Sequence, residues 1–436
     1  MGLGPGKGRM VDSPDKETRM DGTPLKARHP VAPEISRLVA EHRPGGPLKR
    51  DFYLASEVFA ADLARIFHRH WIFVGYALRV PRPGDFFTYK VGSESIIVLR
   101  DRAGAIRAFH NVCRHRGSRI CKTEQGNAHR LVCPYHRWTY ELDGSLVLDT
   151  RREFGIDKAE LSLRPVAIED AAGLLFVSLA LDEAPPDFSE ALATIRRKMK
   201  PHALERAKIA HQIDYVVKAN WKLVFENNRE CYHCPPNHKE YNTAAYDVQR
   251  DMAMLDPSLQ PGMDAIVARA NARFRTLGLD EGDAMSTMTG TAFRCHRTPV
   301  MEGFVTQSLD GKPLCDRLMG DIKEWDSGTL RTTVFPNFWQ HTNCDYAAAA
   351  RLTPIGPDET HVRGYWLVDA GAVEGKDYTL DRLLPIWDLT NKQDWTICED
   401  QQAGVSSRAY VPGPYSRIRE RNVAHFLDWY LSELGA

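Results

Sequence analysis

Two constellations of cysteine, histidine and carboxylate stand out in this chain as residues able to do chemistry. The first is Cys113-x-His115 followed, after 17 intervening residues, by Cys133-x-x-His136. Two thiolates and two imidazoles in paired loops are a donor set for a two-iron, two-sulfur cluster with cysteines on one iron and histidines on the other. The same residue types build tetrahedral zinc sites, but those modules usually place both cysteines before both histidines. Here the order interleaves Cys, His, Cys, His, which argues for the cluster. Cys121, His110 and His129 fall outside the paired spacing and read as packing or loop residues.

The second constellation lies in NWKLVFENNRECYHCPPNHKEYN, residues 220–242, where Glu230 precedes His233 by three positions and His238 follows it by five. On a helix Glu230 and His233 would share a face, and Pro235-Pro236 would end that helix so that His238 approaches from the next segment. Two histidines and one carboxylate on one face of ferrous iron leave positions open for dioxygen and substrate. Spacing alone leaves the carboxylate open among Asp388, Asp394, Glu399 and Asp400. Cys231 and Cys234 make a CxxC pattern, but beside these histidines they are expected to pack rather than do redox chemistry. A solvated helix face is the competing account of this stretch, and the Cys/His motif upstream counts against it.

With Arg114, Gly117, Pro134 and Tyr135 around the first set of ligands and Trp138 and Tyr140 just after, that motif resembles the Rieske signature. Over about residues 50–436 the chain is similar to the alpha subunits of Rieske non-haem iron oxygenases. The resemblance implies an α+β chain: an N-terminal all-β Rieske [2Fe-2S] domain, then a helix-grip (START-like) catalytic domain with an antiparallel sheet and long helices. It puts a cluster on Cys113, His115, Cys133 and His136, and a mononuclear Fe(II) on His233, His238 and Asp394. It makes Glu230 the carboxylate that joins an iron histidine of one subunit to a cluster histidine of its neighbour, and so implies a homotrimer. Dioxygen is then the co-substrate. NAD(P)H would enter only through a separate flavin and iron–sulfur reductase, since no Gly-x-Gly-x-x-Gly follows a strand here.

Many relatives carry Asp where this chain has Glu230. The Glu, together with ENNRECYHC, LMG at Met319 and the run from TNKQDWTICEDQQAG to AYVPGPYS, resembles the branch that includes glycine betaine monooxygenases and proline betaine (stachydrine) demethylases. For that branch the implied reaction hydroxylates an N-methyl group, and the resulting carbinolamine loses formaldehyde. An aromatic ring hydroxylase or O-demethylase of the same architecture is the alternative enzyme. A Rieske electron carrier or zinc module without catalysis is the alternative class, disfavoured by the second metal site. A quaternary ammonium donates no hydrogen bond, so aromatic faces worth roughly 0.5–2 kcal/mol each should hold it. Trp339, Tyr346, Trp366 and Trp387 are the candidates, each weighed against plain core packing. Arg294, His296 and His341 are unranked candidates for a substrate carboxylate.

The rest of the chain must position these groups. Its 57 basic and 57 acidic side chains give a formal net charge of +0, so no global field favours nucleic acid or anionic lipid. No apolar run nears the roughly 20 residues of a membrane span, and the first residues lack the apolar core of a signal peptide, so a cytoplasmic protein is expected. Nine cysteines in so long a chain do not read as a disulfide scaffold. Residues 1–45 read as a flexible arm with few core contacts, 46–200 as the Rieske domain with flanking helices, and 201–436 as the catalytic domain. Apolar spacing predicts helices over 57–71, 188–200, 380–402 and 418–434. Alternation and turn residues predict strands over 95–99, 173–178, 209–217, 303–309, 329–342, 347–353 and 361–368.

Overall fold

The computed structural model describes residues 31–148, 151–181, 183–286 and 290–435. Residues 1–30 of the expected arm lie outside them. The next segment departs from expectation: Pro33–Ala40 is a helix whose Ile35 is buried in the main core against the C-terminal helix Arg421–Gly435. The expected helix over 57–71 is Ser56–Asp62 continued by a π-helical turn, Leu63–Phe67, while Trp71 leaves the helix to stack on Phe188 with ring centroids 5.1 Å apart.

Nine strands follow: β1 (Ile72–Tyr76), β2 (Asp85–Val91), β3 (Glu94–Arg100), β4 (Ile106–His110), β5 (Gln125–Asn127), β6 (Leu131–Val132), β7 (Thr139–Tyr140), β8 (Pro165–Ala171) and β9 (Leu174–Ser178). Seven make an antiparallel sheet in the order β1-β9-β8-β4-β3-β2-β5. β6 and β7 form a separate hairpin, and the residues that follow β4 and β6 carry the Cys/His motif.

The second sheet runs β10 (Ala207–Val217), β16 (Glu359–Asp369), β15 (Tyr346–Gly356), β14 (Phe338–Thr342), β13 (Thr329–Val334), β12 (Phe293–Thr298), β11 (Ala284–Met285), all antiparallel. Residues 303–309, expected as a strand, form turns instead. The buried Asp345 carboxylate collects that loop, accepting from Thr306 Oγ1 at 2.6 Å and from the backbone of Leu314 and Cys315 at 2.7 and 3.2 Å. A buried carboxylate needs such donors, and an extended strand would not bring them together. The run 329–342 is two strands, reversed at Phe335-Pro336.

Alternation along these strands decides which side chains reach the site. Leu330, Val334, Phe338, Ala347, Ala349, Tyr365 and Leu367 face one way, into a core shared with Phe73, Tyr76 and Phe176 of the first sheet and with the helix Ser189–Met199. Arg294, Thr333 and Trp339 lie in one cross-strand row on the opposite face, and His296, Arg331 and His341 in the next. Across that face lies the long helix Pro385–Ser406, tied to β10 by the bond from Tyr215 to Asp388 at 2.8 Å. The helices at 51–67 pack on this second unit: Asp62 accepts from Trp221 Nε1 at 2.8 Å and from Tyr430 at 2.7 Å, and pairs with Lys222.

Candidate functional site

The two Cys/His loops have matching backbones. In the first, Gly117 N–H donates to Cys113 O at 3.0 Å and Cys113 N–H to Ser118 O at 2.9 Å; in the second, Arg137 donates to Cys133 at 3.0 Å and Cys133 to Trp138 at 2.8 Å. The residue that turns each loop is left-handed, Gly117 at φ 74° and Arg137 at φ 61°. Glycine adopts this freely, whereas a non-glycine residue there signals that the loop shape is over-determined by its surroundings. Both cysteines are buried, while His136 is exposed.

The ring centroids of His115 and His136 are 4.6 Å apart, and Trp138 stacks on His115 at 4.7 Å. Burial opposes a thiolate at both cysteines, but backbone donors answer it: His115 at Cys113, and Tyr135 and His136 at Cys133, whose thiol is held below its ordinary value. Tyr140 Oη lies 3.3 Å from Cys113 Sγ. Hydrogen bonds to ligand sulfur raise a cluster's reduction potential. His115 Nδ1 is buried with no partner among the described residues, as expected of an atom reserved for a metal. The donor set therefore fits a Rieske cluster.

The second constellation forms differently from the expectation but converges more tightly. The helix Trp221–Asn228 stops before Glu230, so Glu230 and His233 sit in a turn rather than on one helical face. Pro235 and Pro236 open a single helical turn, Cys234–Asn237, instead of ending one. Proline suits the first positions of a helix because no intrahelical acceptor awaits its nitrogen there. Cys231 and Cys234, expected merely to pack, are joined as a disulfide across the turn, with Cα atoms 5.0 Å apart.

His233 Nε2 and His238 Nε2 lie 3.2 and 2.9 Å from Asp394 Oδ1, which the Pro385–Ser406 helix delivers. His238 Nε2 and Asp394 Oδ1 are both buried and satisfy no hydrogen bond among the described residues. Burial pushes the His233 imidazolium down, yet Asp394 and Glu230 outweigh it and hold the ring at about 10. That affinity for a proton measures a potential that a metal cation would also meet. Cys234 lies close to both histidines, but as half of a disulfide it offers no thiolate. Spacing left four acids open; the structure brings Asp394 to the histidines, while Asp388 bonds Tyr215 and Glu399 accepts from Lys218 N–H.

The far nitrogen of each ring is also tied. His233 Nδ1 donates to Glu230 Oε1 at 2.6 Å, and His238 Nδ1 donates to Gln393 Oε1 at 2.9 Å. Gln393 Nε2 in turn donates to Glu240 Oε2 at 3.1 Å, which fixes the amide with its oxygen toward the imidazole. Each Nδ1–H is thus committed to an acceptor and both Nε2 atoms are aimed at one point, where a metal cation would take the place of the Nε2 proton and leave the rings neutral. Sequence reasoning missed Gln393, Glu240 and Asn227, whose Nδ2 lies 3.5 Å from His233 Nε2. The adjacency of Gln393 to Asp394 was the available signal. Two neutral imidazoles and one carboxylate with oriented partners suit Fe(II).

A cavity of about 140 Å³ adjoins this triad. Trp339 and Trp387 line it as expected, joined by Tyr241 and Trp395, which the sequence reading passed over. Tyr346 and Trp366 do not line it. Tyr346 supports the wall from behind, accepting from Trp387 Nε1 at 2.9 Å, and Trp366 is core. Arg294, His296 and His341 also reach the cavity, but Arg294 is paired with Asp283 at 2.7 Å. Burial and neighbouring arginines push His296 down to about 3 and His341 well below its ordinary value, so both are neutral.

Comparison with known proteins accords with this geometry. Residues 70–153 match the Rieske [2Fe-2S] domain and 204–436 the ring hydroxylating alpha subunit catalytic domain. The glycine betaine monooxygenase oxygenase subunit of Chromohalobacter salexigens is 40% identical over 96% of this chain and 92% of its own. Its counterpart in Pseudomonas aeruginosa strain UCBPP-PA14 is 40% identical over 89% and 90%. Among solved structures, a quaternary ammonium Rieske monooxygenase described for carnitine oxidation and inter-subunit electron transfer superposes with a TM-score of 0.66 at 21% identity, covering 93% of this chain and all of that one. Paired loops on a β scaffold, a histidine–carboxylate triad under an antiparallel sheet, and both domain matches lead to one assignment: the chain belongs to the alpha subunits of the Rieske non-haem iron oxygenases, which carry a [2Fe-2S] cluster and a mononuclear iron.

Proposed function

We propose that this oxygenase hydroxylates an N-methyl group of a small quaternary ammonium zwitterion of the glycine betaine kind. Cys113, His115, Cys133 and His136 would hold the cluster, and His233, His238 and Asp394 the iron. The bound iron, reduced through the cluster, supplies dioxygen activation. Overall, dioxygen, two electrons and two protons convert N–CH3 to N–CH2OH and water; the carbinolamine then releases formaldehyde, a proton and the tertiary amine.

The observation that carries this reading is the cavity beside the triad. Its volume of about 140 Å³ is below the roughly 300–1,000 Å³ of pockets for larger ligands, so the substrate is compact. Its wall mixes the indoles of Trp339 and Trp387 with the guanidinium groups of Arg229 and Arg419, which no carboxylate pairs among the described residues. An arene would desolvate those charges without answering them, which disfavours the ring hydroxylase and O-demethylase alternatives. A methylated cation against indole faces and an anion near arginines would answer both. The 40% identity to two glycine betaine monooxygenase subunits supports the same choice.

Glu230 would link the centres between subunits of a homotrimer, with a separate reductase as electron donor. In support, its carboxylate grips His233 while keeping 12% of its surface exposed, and Tyr232 beside it is exposed too. No described helix is long and apolar enough to cross a membrane, and we place the enzyme in the cytoplasm with its nicotinamide-dependent partner. Formaldehyde release from a panel of N-methyl compounds, with a surrogate reductase, tests the reading. Turnover of an arene without formaldehyde from any betaine would replace it by the ring hydroxylase.

A further inference from the structure

The arginines on the cavity wall are not equivalent. Arg250 pairs with Asp247 at 3.1 Å and Asp251 at 3.0 Å, Arg331 pairs with Asp247, and Arg294 with Asp283. Arg229 and Arg419 have no carboxylate within ion-pair distance among the described residues; Arg419 is half-buried and its guanidinium is laid on the ring of the exposed Tyr232, whereas Arg229 is buried. Its side-chain partner is Thr333 Oγ1, at 3.1 Å from Nη1, and its Nε is buried without any partner. Arg229 itself is only 9% exposed and lies over the rings of Phe335 and Phe225, with centroids at 5.4 and 5.9 Å.

A guanidinium taken out of water without a counter-ion costs several kcal/mol, and proteins retain such groups where an anion arrives. Burial and the nearby Arg294 push Arg229 down to about 9, a depression consistent with an unanswered charge that still leaves it cationic near neutral pH. Position sharpens the point. Thr333, which holds Arg229, is the direct cross-strand neighbour of Trp339, so guanidinium and indole flank one patch of the sheet face. Arg229, Trp339 and the triad all line the same cavity.

We infer that Arg229 is the anchor for the substrate's carboxylate, which makes it the residue that separates carboxylate-bearing betaines from quaternary ammonium alcohols. This rests on the quaternary ammonium reading above. A planar fork with its Nε and part of its terminal nitrogens free matches a carboxylate in two-point contact, which a lysine or histidine cannot reproduce. The carboxylate and Trp339 then hold the two ends of a zwitterion, and an N-methyl group is left toward His233, His238 and Asp394.

The test compares glycine betaine with tetramethylammonium, the same cation without a carboxylate, by calorimetric binding to the full, metal-loaded enzyme and to Arg229→Gln. Loss of a buried charge pair predicts at least about 30-fold weaker glycine betaine binding in the variant. Tetramethylammonium binding should hold within about twofold or tighten, because a repelling cation has gone. Arg229→Lys should recover part of the affinity. Melting of the ligand-free variant should occur at an unchanged or higher temperature, whereas a purely structural Arg229 would lower it. Thr333→Val, which only releases the guanidinium, should weaken glycine betaine selectively and by less, and serves if the glutamine variant does not fold. Equal losses for both ligands, or no loss for glycine betaine, overturn the anchor. If neither ligand binds the wild-type enzyme, the quaternary ammonium reading itself falls.

Discussion

Replacing Gln393 by methionine keeps the side chain's length and removes the acceptor that faces His238 Nδ1. His238 is 1% exposed, so no solvent acceptor stands in. Its ring must either leave Nδ1–H unsatisfied or move the proton to Nε2, the nitrogen 2.9 Å from Asp394. An unsatisfied buried donor costs about 1–3 kcal/mol. A proton on Nε2 removes the lone pair that would bind metal. Loss of a partner behind a ligand histidine typically weakens metal binding about 10–100-fold, or roughly 1.4–2.7 kcal/mol, which agrees with the cost of the orphaned donor. Glu240→Ala frees the Gln393 amide to turn and should show a smaller loss in the same direction. The assay is ferrous ion affinity by chelator competition, with the cluster's visible spectrum as an internal control of folding. Iron affinity within twofold of wild type in Gln393→Met, with an intact cluster spectrum, would refute the argument that this amide sets the tautomer.

Glu230→Gln keeps an acceptor for His233 but discards the charge, so both metals should stay bound while turnover falls; undiminished turnover would remove Glu230 from the electron path. Cys133→Ser should abolish the cluster's visible and electron spin signals and leave ferrous ion bound at His233 and His238, and a retained cluster would show that Cys133 is not a ligand. Glu226 is buried, accepts from Tyr53 at 3.0 Å and Tyr415 at 2.9 Å, and burial raises it from 4.5 to about 7. Its folded value lies above its unfolded one, so the folded chain holds the extra proton, and this stabilisation is complete below about pH 4.5 and lost as pH rises through 7. The span is on the order of 3 kcal/mol. Glu226→Gln should therefore raise the melting temperature relative to wild type more at pH 8 than at pH 5; a difference independent of pH would contradict the assignment.

The cluster loops were legible because the ligands and the turns that present them are local. A Cys and a His two or three positions apart, followed by a left-handed turn at Gly117 or Arg137, close on themselves through backbone bonds within the loop, and Tyr140 adds contacts from the other loop. His233 and His238 were legible for the same reason, although their backbone was misjudged. Pro235-Pro236 stops a preceding helix and starts a following one equally well, and only the end of the Trp221–Asn228 helix decides which. Asp394 was not legible from spacing. The helix that bears it presents several acids, and selection depends on where the turn through His238 meets that helix. Resemblance supplied what periodicity did not. The cavity wall was least legible, because strand register does not decide it: Trp339, Tyr346 and Trp366 share one face of the sheet, and Tyr346 and Trp366 end in core because Leu383 and Ile386 pack over them. The strand expected at 303–309 failed because a side chain from elsewhere, Asp345, determines that backbone.

The charge arrangement resolves an apparent contradiction in assigning a cationic substrate to a cavity rich in arginine. Asp247 and Asp251 neutralise Arg331 and Arg250, and Asp283 neutralises Arg294, so those cations contribute little net field. At the triad, Asp394 and Glu230 offset the two charges of a ferrous ion held by neutral histidines, so a quaternary ammonium meets no net repulsion there. Arg229 and Arg419 remain without a carboxylate partner among the described residues, and of the two Arg229 is the buried one. A cavity that is neutral at the metal end and positive at Arg229 orients a zwitterion in one sense only, carboxylate toward the arginine and methyl groups toward the metal. Orientation of this kind places a reacting C–H bond by electrostatics rather than by shape, and it predicts that a cation lacking a carboxylate would bind in several orientations and consume reductant with little formaldehyde formed. Tight coupling of reductant use to formaldehyde for choline, a cation with unlike ends and no carboxylate, would contradict that electrostatic account and return the placement of the methyl group to the shape of the indole wall.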